Sequence, residues 1–219
     1  MRAQPSPLPG TALLLAAFFG FAAGCRAQIE GAGPLKVEEL LDMGGSARNV
    51  CVVTPNLIRG GQPTAEGVSR LKHAGIRTII DLRNEPAIIE REANVCRQLG
   101  VRFVSIPLDE FNVPASADSG RFLQAVNDPG NQPVYVHCLH GQDRTGAMVG
   151  LYRVMSQGWT ADQAYEEMVA RGFHPVFVNL ARVVFDGAAQ LGRPSARPDR
   201  QTELMVEAVK QRLGRFLGR

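Results

Sequence analysis

The residues best suited to chemistry stand in one stretch, 134–146, reading Val-Tyr-Val-His-Cys-Leu-His-Gly-Gln-Asp-Arg-Thr-Gly. An apolar, β-prone run leads into Cys138, and a helical pattern opens at about Arg144. A loop that closes into a helix N-terminus turns its backbone N–H groups inward, and the helix dipole adds positive potential. Such a site suits a tetrahedral dianion. Leu139, His140, Gly141, Gln142 and Asp143 supply the loop, and Gly141 allows close backbone approach. The planar fork of Arg144 holds two oxygens at once, which a lysine does not. The same field favours a thiolate on Cys138, below the free value of about 8.5. The chemistry that follows is attack on phosphorus, a phosphocysteine intermediate, and hydrolysis by water. Thr145 is placed to donate to the sulfur as it departs. No metal or cofactor is called for, because Arg144 and the N–H groups take the charge that divalent ions neutralise elsewhere.

The elements that must position this loop alternate between strands and helices. Residues 50–53 and 57–59 are short β-prone pieces broken by the turn signal Thr54-Pro55-Asn56. Thr64 caps a helix that runs to about Ala74 and is ended by Gly75. Residues 76–82 read as a buried strand, 86–99 as a helix stopped by Gly100, and 101–107 as the next strand. A polar stretch over 109–119 precedes a helix around 121–126, and 134–137 is a fully apolar central strand. Beyond residue 144 the pattern is helical: 144–157, then 160–170 behind a Thr160/Gln163 capping box, then a helix that follows Pro175 and runs to about Leu191. This predicts an α/β fold, a central mostly parallel sheet of four to five strands flanked by helices.

His-Cys-x-x-Gly-x-x-Arg-Thr-Gly resembles the phosphate-binding loop of the cysteine-based protein tyrosine phosphatase superfamily. The likeness extends over about 50–172. Asn56-Leu57-Ile58-Arg59-Gly60-Gly61-Gln62-Pro63 and the Ile79-Ile80-Asp81-Leu82-Arg83 run are similar to the compact dual-specificity-like branch of bacteria, plants and fungi. The resemblance implies a phosphomonoester hydrolase acting on phosphoproteins, or on inositol phosphates or phosphoinositides by the same chemistry. It also implies a carboxylic acid that protonates the leaving oxygen. Asp109, 29 residues before Cys138, fits best; Asp143 and Asp118 are the other candidates. The Gln-Asp-Arg ending resembles bacterial phosphatases with Lys-Asp-Arg, and Gln142 in place of that lysine weakens the case for highly charged lipid headgroups. Two readings of other classes remain beside this one, a catalytically idle phosphate-binding module and a rhodanese-like sulfurtransferase. The thiol argues against the first, and Arg-Thr-Gly at the helix start disfavours the second.

Other polar residues carry structural expectations. His137 shapes the loop rather than acting as a base, and His140 faces the mouth of the pocket. Asp81 and Arg83 tie strands to the loop, with substrate contact open to Arg83. His174 and Arg171 are expected on the surface, with approach to the pocket as the alternative, and Trp159 as a packing anchor.

Lys+Arg 24 against Asp+Glu 21 gives +3, too mild a surplus for a nucleic-acid binder, and 45% hydrophobic residues exclude a disordered chain. Four cysteines form no disulfide framework. Cys51 and Cys96 remain open between a mutual bridge, unpaired core thiols and, for Cys96, a resolving partner of Cys138. Residues 11–21 are apolar but too short to span a bilayer, and suit an export signal. Ala22-Ala23-Gly24-Cys25 resembles a bacterial lipobox, which implies lipid attachment at Cys25 and a membrane-anchored, extracytoplasmic protein; a soluble secreted or periplasmic form is the alternative. The expected organisation is a signal over 1–24, a tether over 25–35, a phosphatase domain over 36–192, and a Pro-broken linker with a basic amphipathic helix over 193–219. That last segment holds seven basic and three acidic side chains and is expected to dock on the domain rather than on lipid. A radiolabelled lipid precursor is expected to label the wild-type chain and not Cys25→Ala; label surviving the substitution removes the lipoprotein reading.

Overall fold

Short β-branched and apolar runs ended by Gly, Asn and Pro become five strands in the computed structural model, which describes residues 36–193 and 195. Strands β1 (Cys51–Thr54) and β2 (Leu57–Gly61) form a hairpin. Its turn is closed by the Asn56 N–H donating to Thr54 Oγ1 at 3.2 Å. Strands β3 (Thr78–Asp81), β4 (Arg102–Ser105) and β5 (Val134–Cys138) complete one sheet in the order β1-β2-β5-β3-β4. Only β1 runs antiparallel. All five residues of β5 are buried, which explains why Val134, Tyr135 and Val136 follow one another without polar alternation. Its register places Cys138 beside Gly61 of β2 and His137 beside Asp81 of β3. The reactive loop thus leaves the carboxyl edge of the central strand, where open α/β sheets bind ligands.

Helices cover both faces. Helices α1 (Val37–Leu41), α2 (Ala65–His73) and α3 (Pro86–Leu99) enclose a core with Leu71, Ile79 and Tyr135. Helices α4 (Ser116–Asn127), α5 (Asp143–Gln157), α6 (Ala161–Ala170) and α7 (Val178–Gln190) enclose a larger core with Ile80, Phe122, Val136 and Met148. Boundaries follow local chemistry. The Thr64 side chain accepts from the Gly67 N–H, Pro86 opens α3, and Gly100 and Gly158 end α3 and α5 in left-handed conformation. The capping box of Thr160 and Gln163 forms as expected. Arg153 then clamps three elements together. It pairs with both oxygens of Glu167 at 2.9 and 2.7 Å, donates to the Val53 carbonyl at 3.2 Å, and lies 4.4 Å over the Trp159 ring.

Two stretches differ from the sequence expectation. Helix α1 has no counterpart there. Helix α4 begins at Ser116, inside the stretch expected to be polar loop, because Phe122 and Val126 bury against the sheet and the helix extends backwards over Ser-Ala-Asp-Ser-Gly. Cys96 and Cys138 are free thiols, so a Cys51–Cys96 bridge is absent. Cys96 is fully buried, and burial with Glu92 and Asp81 nearby pushes its thiol up to about 12. That protonated state is unsuited to a resolving role. Among the described residues no helix is long and apolar enough to cross a membrane. The expected export signal, Cys25, the expected tether and the expected C-terminal helix lie outside the described residues.

Candidate active site

The loop after β5 is held from outside. Gln62 N–H donates to the Leu139 carbonyl at 3.2 Å, Asn49 Nδ2 to the His140 carbonyl at 2.7 Å, and Arg59 Nη2 to the Gly141 carbonyl at 2.8 Å. In a trans peptide the carbonyl and the following N–H point in opposite directions. Three carbonyls tied outward therefore turn the N–H groups of residues 140–142 inward, towards the sulfur. Gly141 makes this possible. Its φ is +73°, and a Cβ there would overlap the backbone of Gly60 and Gly61.

Cys138 sits at the bottom, 3% exposed. Burial alone pushes its thiol up. That effect is outweighed by the Thr145 hydroxyl and N–H, the Arg144 charge and the Gly141 N–H, which together hold the thiol below its ordinary value. The Thr145 hydroxyl is buried without a conventional hydrogen-bond partner, which leaves it to the Cys138 sulfur. Arg144, in the first turn of α5, turns back across the site. Its Nη1 donates to Asn84 Oδ1 at 3.1 Å and to the Leu108 carbonyl at 3.3 Å, and lies 3.6 Å from Glu110 Oε2.

A pocket of about 380 Å³ stands over this floor. Cys138, His140, Asp143 and Arg144 contribute polar groups, with Glu110 and His174 at its sides. Leu139, Val176 and Phe177 form an apolar wall. Phe111, 61% exposed, packs edge-on against Phe177 at 5.6 Å, and Asn179 Nδ2 donates to the Phe111 carbonyl at 2.6 Å. Helix α7 thus anchors the loop between β4 and α4.

The three carboxylates singled out in the sequence are placed differently. Asp109 is exposed and does not line the pocket; its Oδ1 accepts from the Phe111 N–H at 2.7 Å. Asp118 lies on the first turn of α4 and pairs with Arg121 at 3.4 Å. Asp143 lines the pocket with its Oδ1 occupied by the His174 N–H at 2.8 Å and Nδ1 at 3.0 Å. His174 is exposed, as expected, and also lines the pocket, because the short connection from α6 to α7 crosses the start of α5. Arg171 lines a separate cavity. Arg83 does not line the pocket either; it bonds Gln62 and Glu85. Glu110, Asn84 and Glu92 carry no motif and were missed; only Glu110's position beside Asp109 hinted at it.

Beneath the loop, His137 Nε2 meets Glu92 Oε1 at 2.8 Å, and its Nδ1 lies 3.8 Å from Asp81. Burial disfavours the imidazolium, but the Glu92 bond and charge, with Asp81, outweigh it and raise the His137 pKa. Gln62 donates to the second Glu92 oxygen at 3.1 Å, and Asp81 Oδ1 accepts from the Arg83 N–H at 2.8 Å. The expectation that His137, Asp81 and Arg83 shape the loop agrees with these contacts.

Residues 48–182 match the family model described as DSP-PTPase phosphatase fused to NAD+ kinase. The chain belongs to this family. It is a cysteine-based phosphatase, a phosphoric monoester hydrolase. The DSP-PTPase assignment agrees with a 33% identity over 179 residues to the dual specificity protein phosphatase TpbA of Pseudomonas aeruginosa, covering 77% of this chain and 75% of that protein. The crystal structure of P. aeruginosa TpbA superposes with a TM-score of 0.54 at 26% identity, over 63% of this chain and 88% of that one. Inositol diphosphatase DSP3 of Arabidopsis thaliana is 32% identical over 125 residues, covering 54% of this chain and 60% of the plant protein.

Because Thr145 and Arg144 together hold Cys138 below the ordinary thiol value, iodoacetamide is expected to alkylate it with a pH inflection below that of an ordinary cysteine. Thr145→Ala is expected to move that inflection upward, and Cys96 to stay unmodified in the folded chain. Peptide mapping after alkylation across pH reads both.

Proposed function

We propose that this phosphatase acts on phosphotyrosine in protein substrates, and that it does so outside the cytoplasm, anchored through Cys25. The observation that carries the substrate reading is the pocket wall. Leu139, Val176, Phe177 and the adjoining Phe111 offer apolar and aromatic surface above a cradle with a single arginine. Such a wall suits a phenyl ester, whereas a polyphosphorylated ring calls for several cations. TpbA is a dual specificity protein phosphatase, which supports this reading. The plant relatives that are inositol diphosphatases supply the alternative. The apolar run over 11–21 and the small residues before Cys25 support export and anchoring.

In the mechanism, the phosphoryl oxygens take the Arg144 guanidinium from Glu110 and Asn84 and accept from the inward N–H groups. The Cys138 thiolate forms an S–P bond as the P–O bond to the phenol breaks. Of the carboxyl groups on the β4–α4 loop, Glu110 lines the pocket and Asp109 is turned to its own backbone; once Arg144 has turned to the phosphoryl group, Glu110 takes up a proton from solvent and gives it to the leaving oxygen. The Glu110 carboxylate then takes a proton from the water that attacks phosphorus. The S–P bond breaks, Thr145 supports the departing thiolate, and phosphate is released.

A panel of phosphotyrosine peptides, phosphoserine peptides, inositol polyphosphates and phosphoinositides tests the substrate class. Phosphotyrosine peptides are expected to have the highest kcat/KM, with no turnover by Cys138→Ser. Inositol phosphates ranking first overturns the substrate reading, and turnover surviving Cys138→Ser overturns the mechanism. Glu110→Gln is expected to lower kcat about 10²-fold on phosphotyrosine and much less on aryl phosphates with good leaving groups. Asp109→Asn is expected to change little; the reverse pattern gives the proton to Asp109.

A further inference from the structure

Residues 106–115 connect β4 to α4 and carry Glu110 near their middle. The Leu108 N–H donates to the Leu82 carbonyl at 3.2 Å, which fixes the start of this loop to the end of β3. Past Leu108 the loop is held by groups from α5 and α7. Arg144 Nη1, from α5, donates to the Leu108 carbonyl at 3.3 Å and lies 3.6 Å from Glu110 Oε2. Asn179 Nδ2, from the first turn of α7, donates to the Phe111 carbonyl at 2.6 Å.

Substrate affects these two holds differently. Arg144 is the residue the phosphoryl oxygens recruit, so its contacts with Leu108 and Glu110 are given up just when Glu110 is needed. Asn179 does not line the pocket, and its bond to Phe111 persists. The Phe111 N–H is held as well, by Asp109 Oδ1 at 2.7 Å, and its ring packs edge-on against Phe177 at 5.6 Å. Both peptide groups of Phe111 are thus occupied, and the residue before it is Glu110. The start of α7 is fastened in turn to the phosphate loop. The Phe177 N–H donates to the His174 carbonyl at 3.0 Å, and the His174 N–H donates to Asp143 Oδ1 at 2.8 Å. A short chain of contacts therefore runs from the loop that carries Cys138 to the residue that follows Glu110.

We propose that Asn179 is a positioning residue for the proton donor: by holding Phe111 it keeps Glu110 facing the leaving oxygen after Arg144 has turned to the phosphoryl group. The inference rests on Glu110 as the proton donor and adds a residue on a different helix that acts through it. A general acid works only within hydrogen-bond reach, and a displacement of about 1 Å costs on the order of 10²-fold in rate. Phe111 is 61% exposed, so water can replace Asn179 at its carbonyl. Losing the tether therefore costs position and not folding.

Asn179→Asp and Asn179→Leu in the full-length chain test this. Each keeps the size of the side chain and removes the N–H donor. An acid in the first turn of a helix is favourable, so Asn179→Asp is expected to melt no lower than the wild type. The readout is kcat/KM, which covers the steps up to P–O cleavage, over aryl phosphates running from good to poor leaving groups. Both variants are expected to lose about tenfold on phenyl phosphate and phosphotyrosine peptides, and less than about twofold on good leaving groups. In a Glu110→Gln background, Asn179→Leu is expected to add less than about twofold, because the two residues act as one unit. Equal loss across the series, no loss, or the full loss on top of Glu110→Gln overturns the proposal. Glu110→Gln alone separates the two readings. If it leaves the series as in the wild type, the proton-donor reading fails and the tether with it. If it impairs poor leaving groups while the Asn179 variants do not, that reading stands and the tether alone falls.

Discussion

A thiolate in a dry place is the constraint around which the rest of the protein is arranged. Burial at the end of β5 pushes Cys138 towards the neutral thiol, and every neighbouring feature works against that push. The N–H groups point inward only because their carbonyls are held outward by Asn49, Gln62 and Arg59, from three separate segments of the chain. Gly141 is indispensable because any larger residue would meet the backbone of β2. Gly60 is equally constrained, since a Cβ there would run into the Tyr135 hydroxyl, which itself donates to the Gly61 carbonyl at 2.7 Å. The sheet and the loop are thus one packing problem, with β2 and β5 as its two sides.

The second layer of the arrangement is ionic. Directly behind the nucleophile, His137 is wedged between Glu92 of α3 and Asp81 of β3. Asp81 is itself pushed up by burial, an effect only partly relieved by His137 and the Arg83 N–H. The group stays in place because each member has a partner, and removing any one of them would strand charge in the core. Gln62 and Arg83 extend this cluster to the start of α3 through Glu85. A helix that touches no substrate therefore shares in fixing the strand from which Cys138 projects.

How much of this was legible in the sequence depended on how local the chemistry is. Cys138, Gly141, Arg144 and Thr145 lie within eight consecutive residues, and a strand, a loop and a helix start suffice to bring them together. Helix caps were legible for the same reason, as Thr160 with Gln163 and Gly100 illustrate. Asn84, Glu110 and His174 come from three different connections, and nothing in their immediate neighbours indicates which way they face. Asp109 shows the limit most clearly. Its distance from Cys138 suited the proton donor, but its side chain is spent on a turn two residues long, and the neighbouring Glu110 faces the pocket instead. The start of α4 was hidden because polar composition indicates loop, while the burial of Phe122 decides for helix.

The ion pair between Arg144 and Glu110 has a consequence for discrimination. A carboxylate stands 3.6 Å from the arginine, so any incoming anion competes with a ligand built into the chain. Intramolecular competition of this kind lowers apparent affinity by the fraction of time the arginine is occupied. The penalty is the same for every ligand, but the compensation is not. A phosphomonoester dianion brings two negative charges and three free oxygens to replace one carboxylate, whereas a diester or a sulfate ester brings a single charge. The pair thus weighs more against monoanions than against a dianion.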